Sequence, residues 1–239
     1  IALFELKYTD TPEIVVINEA IELSKRYNTT LTIFLTSLLI DSIGKQMTER
    51  EKKRPVYITV PVNLRKYFPS KTTRNFFNTI SVYYKFEDDY KFEDIVGAVA
   101  KQFKERLTKE ALKDNMSDMV LLENIFVLRL VPRFFKDFVL KLSFELSRKM
   151  HTMTLSNIGA IEMPEVFEEY IDYFDIFAST DGIQACMCSY KDNLMVSFTS
   201  HFLNSEIEKN FFRALSDENI EITINTNVFD EEEEKNEVL

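Results

Sequence analysis

The stretch ITVPVNLRKYFPSKTTRNFFNT, residues 58–79, joins two predicted strands through a basic turn. β-Branched residues dominate its first half, and Pro61 limits the strand that they predict. A second strand, NTISVYYKF, begins at Asn78. The turn between them holds four basic residues beside two asparagines: Arg65, Lys66, Lys71, Arg74, Asn75 and Asn78. This cluster requires an explanation, because the chain as a whole is acidic.

Length and composition predict a globular protein with a substantial core. The chain has 239 residues, of which 45% are apolar, and this suits one large domain or two small ones. Its net charge is 29 − 39 = −10, and residues 230–239 (DEEEEKNEVL) carry half of that excess. We expect a domain over residues 1–229 and a disordered acidic tail over 230–239. Nucleic acid and anionic lipid are not expected partners, since both need a positive surface.

Cysteine and histidine are scarce. Cys186 and Cys188 lie two apart in one predicted strand, so no disulfide is expected, and with His151 and His201 they are too few for a zinc site. The sequence has no signal-peptide pattern and no apolar run long enough to span a bilayer, which predicts a cytoplasmic protein. Because the chain opens at Ile1 inside a strand-like segment, we expect it to be a piece of a longer protein.

Periodicity predicts helices in the first two thirds of the chain. A strand over residues 1–8 precedes an amphipathic helix, and TLTIFLTSLLIDSIGKQM, residues 30–47, is apolar nearly all round, as in a buried helix. Residues 92–148 are predicted to be helical in at least two pieces, the first a helix over residues 92–112 and the second with a break near Val131–Pro132. Four aromatic residues of this region recur at helical spacing and are interpreted as core: Phe134, Phe135, Phe138 and Phe144.

The last third changes to short β-type runs. They are residues 153–159, 170–179, 182–190 and 193–202, separated by turns such as Asp181–Gly182 and Asp192–Asn193. Two of them are predicted to form a hairpin. An amphipathic helix follows, with Ser205 as its N-cap, and residues 220–228 (IEITINTNV) predict a closing strand. The chain is therefore predicted to be a mixed, layered α/β domain.

Three short motifs stand in this order of elements: VPVNLR at 60–65, RNF at 74–76 and SNIG at 156–159. With that order, over residues 1–227, the chain resembles the C-terminal half of the chloramphenicol-acetyltransferase-like superfamily of CoA-dependent acyltransferases, which includes condensation domains, wax-ester synthases and alcohol acetyltransferases. The motifs are most similar to those of the bacterial alcohol-acetyltransferase-like proteins. The resemblance implies a half-domain of that fold.

The resemblance also implies that the two halves contribute different parts of the reaction site. In this superfamily the acyl acceptor and the acyl thioester meet in a tunnel between two similar halves, and the general base is the second histidine of an HHxxxD motif in the N-terminal half. Neither His151 nor His201 stands in such a motif. A weakly acidic alcohol needs a base at neutral pH, so we expect this chain to be inactive without its missing half.

Substrates follow from the same resemblance. A coenzyme A or carrier-protein thioester is the expected acyl donor, and a small alcohol or amine is the expected acceptor. No tightly bound cofactor or metal is implied. The identity of the acceptor and the length of the acyl chain stay open, because both depend on tunnel side chains from the two halves.

The basic turn has two interpretations. In the structural one, Arg65 anchors the turn by binding carbonyls and Asn75 satisfies unpaired backbone groups near the tunnel. In the functional one, Lys66, Lys71 and Arg74 attract the phosphates of coenzyme A. Both interpretations stay open at this stage.

The SNIG segment also has two interpretations. Ser156 and Asn157 carry donors that suit a developing oxyanion, and Gly159 allows the backbone to come close to a substrate. Alternatively, Asn157 and Gly159 only shape the end of a strand. The substrate-binding prediction therefore comprises Asn75, Ser156, Asn157 and Gly159.

Other constellations do not favour catalysis. Ser200 and His201 are adjacent on a predicted strand and point to opposite faces, which is poor geometry for a nucleophile and its base. The three acidic residues of the 172–181 run (Asp172, Asp175, Asp181) fit strand faces and a turn. A rival hypothesis is a non-catalytic module of the same fold, whose apolar face pairs with a second copy.

Overall fold

A computed structural model describes residues 15–124, 133, 135, 137–138, 141–142, 151–178, 182–202, 204–220 and 222–224. The helices are α1 (Val15–Arg26), α2 (Leu31–Gln46), α3 (Phe92–Arg106), α4 (Lys109–Asn124), the single turn α5 (Glu165–Glu168) and α6 (Glu206–Ser216). The strands are β1 (Val56–Asn63), β2 (Phe77–Tyr84), β3 (Met153–Ala160), β4 (Ile183–Tyr190) and β5 (Asn193–Ser200).

The strands of the described ranges form one mixed sheet in the order β2-β1-β3-β4-β5. β1 is antiparallel to β2, and β4 is antiparallel to β5 in a hairpin that turns at Lys191 and Asp192. The central pairs, β1 with β3 and β3 with β4, are parallel. This arrangement confirms the predicted α/β class and the predicted hairpin.

One face of the sheet carries the main hydrophobic core. Alternating residues such as Ile58, Leu155 and Phe198 are almost fully buried there and belong to one cluster with the apolar residues of α2, α3 and α6. α2 is buried from Phe34 to Gly44, as predicted for the apolar run. Its buried hydroxyl groups donate to backbone carbonyls one turn earlier, so they cost little inside the core.

A non-helical segment, residues 171–178, lies against the other face of β4 and β5. The predicted strand over residues 170–179 is wrong in its described part, which is irregular. Two of its backbone carbonyl groups accept hydrogen bonds from side chains of the sheet and not from the backbone of a neighbouring strand. Cys188 Sγ donates to Phe174 O at 3.2 Å, and Thr199 Oγ1 donates to Ala178 O at 2.7 Å. Asp175 accepts a short hydrogen bond from Ser197 Oγ.

Two further expectations need correction. The single helix predicted over residues 92–112 is divided at Leu107–Thr108, because Thr108 Oγ1 accepts from Ala111 N at 3.1 Å and starts a new helix. Ser205 occupies the N-cap position of α6 without a side-chain cap bond. Instead, Asn204 Oδ1 accepts from Glu206 N at 2.9 Å.

The remaining predictions concern the closing strand, the aromatic residues of the region 92–148 and the first strand. Within the predicted closing strand, residues 220 and 222–224 are not in a strand. Phe135 and Phe138 are 53% and 66% exposed, so they are not core in this chain. The strand over 1–8, the break at Val131–Pro132, and Phe134 and Phe144 lie outside the described residues.

None of the helices in the described ranges is both long enough and apolar enough to cross a membrane.

Candidate functional site

The pairing between the two central parallel strands stops early. β1 pairs with β3 only at Ile58–Met153 and Thr59–Thr154. Beyond these pairs, β1 continues beside β2 as far as Asn63, and β3 continues beside β4 as far as Ala160. The strands therefore separate toward their carboxyl ends. We call this region, residues 60–76 and 155–160, the carboxyl edge; open α/β sheets bind ligands outside the carboxyl ends of their strands.

The β1–β2 loop borders the carboxyl edge and is held by one arginine. Arg65 donates from one terminal nitrogen to Thr72 O at 3.0 Å and to Arg74 O at 2.8 Å. Asn63 Oδ1 accepts from the Arg65 amide at 3.0 Å, which starts a short 3-10 turn. These contacts confirm that Arg65 anchors the turn.

The other basic residues of this loop face solvent. Lys66, Lys71 and Arg74 are exposed, and none of them forms an ion pair with another described residue. Asn75 is exposed too, and its side chain has no hydrogen bond within the described ranges. A patch of three unpaired cations thus lies beside the carboxyl edge, and its role toward phosphates stays a prediction.

Ser156 and Asn157 lie at the end of β3 and point to opposite faces. Asn157 points to the helical side, where its Nδ2 donates to Thr32 Oγ1 in the first turn of α2 at 2.7 Å. Ser156 is paired with Cys186, on the face away from the helices, and its hydroxyl has no hydrogen bond with any described residue. One oxyanion can therefore accept from only one of these two side chains, and both roles stay predictions.

A β-bulge follows directly. The β3–β4 register shifts between Asn157 and Gly159, and Asn157 Oδ1 accepts from Gly159 N at 2.8 Å across the bulge. Gly159 has a φ of +87°, and the position of a Cβ there has no atom within 4 Å. The glycine is therefore explained by its backbone conformation and not by a close contact within the protein.

Thr32 is the residue of this site that the sequence did not suggest. It lies 125 residues before Asn157. No local pattern marks it, because the contact exists only once α2 has packed against the sheet. The amide of Asn157 thus links the helix layer to the bulge that follows Ser156.

Both histidines lie beside the ends of strands. His151 precedes β3, and its Nδ1 is 2.9 Å from Thr59 Oγ1. His201 follows β5, and its amide donates to Gly182 O at 3.1 Å, beside the start of β4. Thr59 pairs with Thr154, which lies two residues, or about 7 Å, before Ser156 on the same face of the sheet, so the His151 ring is close to the carboxyl edge.

The two cysteines do not supply a nucleophile. Cys186 and Cys188 are both buried and free. Burial, with a smaller effect of the Asp175 carboxylate, raises the pKa of Cys188 to about 11, and burial also raises the pKa of Cys186. Both thiols are therefore protonated at neutral pH. The described residues contain no group of three or more histidine, cysteine or acidic side chains that could hold a metal ion.

Comparisons of the sequence give a match to a family model over a small part of the chain. The model of the NusB family matches residues 1–32, a small part of the chain that mostly lies outside the described residues or in α1. No curated protein matches the chain.

Solved structures match over nearly the whole chain. A condensation domain of the enacyloxin polyketide synthase is 10% identical, with a TM-score of 0.51 over 95% of this chain and 43% of its own. The first condensation domain of the CDA synthetase is 13% identical, with a TM-score of 0.51 over 95% and 47%. Polyketide synthase associated protein 5 from Mycobacterium tuberculosis is 9% identical, with a TM-score of 0.53 over 90% and 52%.

The chain thus spans about half the length of these structures. At such low identity the likeness concerns the fold. It agrees with the mixed sheet and with the order of helices and strands described above. The chain has the α/β fold of half a condensation domain, consistent with the C-terminal half.

Proposed function

We propose that this chain is the C-terminal half of an acyltransferase that moves an acyl group from a thioester to an alcohol or amine. A second half-domain carries the HHxxxD base and completes the reaction site. The present half forms one wall of the channel at the carboxyl edge. We expect the fragment to be inactive alone and the parent protein to be cytoplasmic.

The observation that carries this proposal is the early end of the β1–β3 ladder next to Ser156. Two central strands that pair over two residues leave an opening in the middle of the sheet. Ser156 borders that opening with a hydroxyl that no described residue engages. A donor placed there can stabilise the negative charge on the thioester carbonyl oxygen as the acceptor attacks.

Ser156 is the better of the two predicted oxyanion donors. Asn157 Nδ2 already donates to Thr32 Oγ1 at 2.7 Å, and its Oδ1 accepts from Gly159 N. Asn157 therefore fixes the bulge, while the Ser156 hydroxyl is available to a ligand. We assign Asn157 a positioning role and Ser156 the contact with the acyl carbonyl.

Neither histidine of this chain stands in an HHxxxD motif, which supports a base from elsewhere. A general base must come within hydrogen-bond reach of the acceptor hydroxyl, directly or through one water. His151 Nδ1 lies 2.9 Å from Thr59 Oγ1, and the His201 amide donates to Gly182 O beside the start of β4. We assign proton removal to the HHxxxD histidine of the second half, so His151→Ala in the longer protein should keep its turnover.

The three unpaired cations of the β1–β2 loop favour coenzyme A as the donor. Lys66, Lys71 and Arg74 are free to pair with phosphate groups. A carrier-protein thioester has one phosphodiester on its pantetheine arm, whereas coenzyme A has further phosphates. Coenzyme A should therefore bind more tightly than pantetheine, and the Lys66→Gln/Lys71→Gln/Arg74→Gln variant should lose that difference. Lys52→Gln/Lys53→Gln, away from this edge, is the control.

Exposed apolar side chains support a partner half. Ile158, on the β3 bulge, is 53% exposed, and the segment after β3 exposes further large apolar residues: Val166, Phe167, Tyr170, Tyr173 and Phe177. Such a surface usually meets another protein surface. The alternative function, a non-catalytic module that self-associates, uses the same surface for a second copy.

The gene upstream of Ile1 decides between these functions. We expect about two hundred further codons with an HHxxxD motif, as two halves of ordinary domain size require. Within that longer protein, Ser156→Ala should lower kcat with little change in KM for the acceptor. A stop codon directly upstream, together with a stable dimer in sedimentation, would establish the module instead. Unchanged turnover of Ser156→Ala would remove the oxyanion role.

A further inference from the structure

A cavity of about 730 Å³ lies at the amino edge of the sheet. It lies between the end of α2, the turn that follows it and the first residues of β1, and Thr152 closes it from the start of β3. Its volume is in the range of small-molecule sites. The candidate site at the carboxyl edge is at the other end of β1, so this cavity is a separate feature.

The floor of the cavity is apolar. Ile43 and Val56 are 5% and 2% exposed and belong to the main core. Met47 is half-buried beside them, and the ring of Tyr57 packs against the ring of Tyr83 with centroids 5.3 Å apart. Because the two core residues are already buried, the apolar surface that a ligand can remove from water belongs to the half-buried Met47, Pro55 and Tyr57. The ligand body should therefore be aliphatic or aromatic.

The rim carries one available cation. The amide of Arg54 donates to Glu51 O at 2.8 Å, and this turn places the Arg54 side chain at the cavity. The guanidinium group forms no ion pair within 4 Å with any described residue. Hydrogen bonds from Thr48 lower the pKa of Glu51, and the charge of Arg54 contributes only the smallest effect to that pKa. Glu51, the acid on the same rim, uses Oε2 to accept from Thr48 N at 2.9 Å and Thr48 Oγ1 at 2.7 Å.

The remaining polar group on the inner wall is already paired. Thr152 Oγ1 accepts from Tyr57 N at 3.1 Å, and Thr152 N donates to Tyr57 O at 3.0 Å. The contact closes the wall and leaves Arg54 and the exposed Gln46 as the groups that a ligand head can reach, and of these Arg54 carries the charge. A guanidinium group binds a carboxylate with two parallel hydrogen bonds.

We propose that this cavity binds a small aliphatic monocarboxylate, with its chain on Met47, Pro55 and Tyr57 and its carboxylate on Arg54. The site is independent of the proposed acyl transfer, because it uses residues of the other sheet edge. Its ligand is a free carboxylate and not a thioester, whose carbonyl carries no charge for Arg54 to pair with.

Titration of the whole chain with decanoate and with decanol tests this proposal. Calorimetry should show that decanoate binds about tenfold more tightly than decanol, because one charge-assisted hydrogen bond to Arg54 provides about that gain in affinity. Arg54→Gln should remove that difference, and Arg54→Lys should keep part of it. Arg50→Gln, on the same turn but outside the cavity, should leave both affinities unchanged. Met47→Trp, which fills the cavity, should weaken both ligands.

Two results would overturn the proposal. One is the absence of decanoate binding to the wild-type chain, or equal affinity for decanoate and decanol. The other is equal binding by Arg54→Gln and Arg50→Gln. Thermal melts of each variant establish that it is folded. The wild-type comparison of the two ligands decides the outcome even where a variant does not fold.

Discussion

Asn157→Ala should loosen the connection between α2 and the end of β3. The amide of Asn157 makes two hydrogen bonds, to Thr32 Oγ1 at 2.7 Å and from Gly159 N at 2.8 Å. Each such bond contributes about 1 kcal/mol net, so the variant should lose about 2 kcal/mol of unfolding free energy. In a chain of this size that lowers Tm by about 4–8 °C.

The assay is urea unfolding followed by circular dichroism, with Thr32→Val as the second member of a double-mutant cycle. The two single variants share one hydrogen bond, so their effects should couple by about 1 kcal/mol. Asn75→Ala is the matched control, because that asparagine is exposed and has no side-chain hydrogen bond within the described ranges. Additive effects in the cycle, or an Asn157→Ala variant as stable as Asn75→Ala, would refute the link between helix and bulge.

Three further variants test the fold around the site. Gly159→Ala should cost about 1–3 kcal/mol in urea unfolding, because φ is +87° there, whereas Gly97→Ala, in α3 with open space, should be neutral or stabilising. Burial raises the pKa of Glu208 against a smaller lowering by its own backbone amide, and no other described residue forms a hydrogen bond with its carboxylate. The unfolding free energy of the wild type should therefore fall as the pH rises above 4.5, the ordinary pKa of a glutamate. Glu208→Met should be more stable than the wild type by about 1–3 kcal/mol at pH 7, and this advantage should shrink in acid. A difference in unfolding free energy that does not change with pH would contradict this. Arg65→Ala should speed hydrogen exchange of the backbone amides of residues 64–76, because the loop loses the two hydrogen bonds from Arg65, while Tm should be nearly unchanged. Unaltered exchange would show that Arg65 does not hold the loop.

Sequence patterns predicted the strands best. The alternation in VYITVPVN, the β-branched run of NTISVYY and the hairpin around Lys191 are local signals, and local signals fix local structure. The run at 170–179 shows where this fails. Its apolar spacing resembles a strand, but side chains of β4 and β5 occupy its carbonyl groups, and those partners are distant in sequence.

The candidate site was predictable in part for the same reason. The motifs placed Arg65 on a turn and SNIG at a strand end, because short-range geometry determines both. Which face Ser156 and Asn157 occupy, and the engagement of Asn157 by Thr32, depend on how α2 packs. The burial of Glu208 likewise could not be read from an amphipathic helix pattern, in which glutamate predicts an exposed position.

Acyl transfer by the isolated chain is the most direct test of the central claim that its base comes from another half-domain. The chain is incubated with acetyl-CoA and a panel of small alcohols and amines, and free thiol is measured. We predict release at the uncatalysed rate, unchanged by His151→Ala or His201→Ala. Turnover by this chain alone that His201→Ala abolishes would contradict the account.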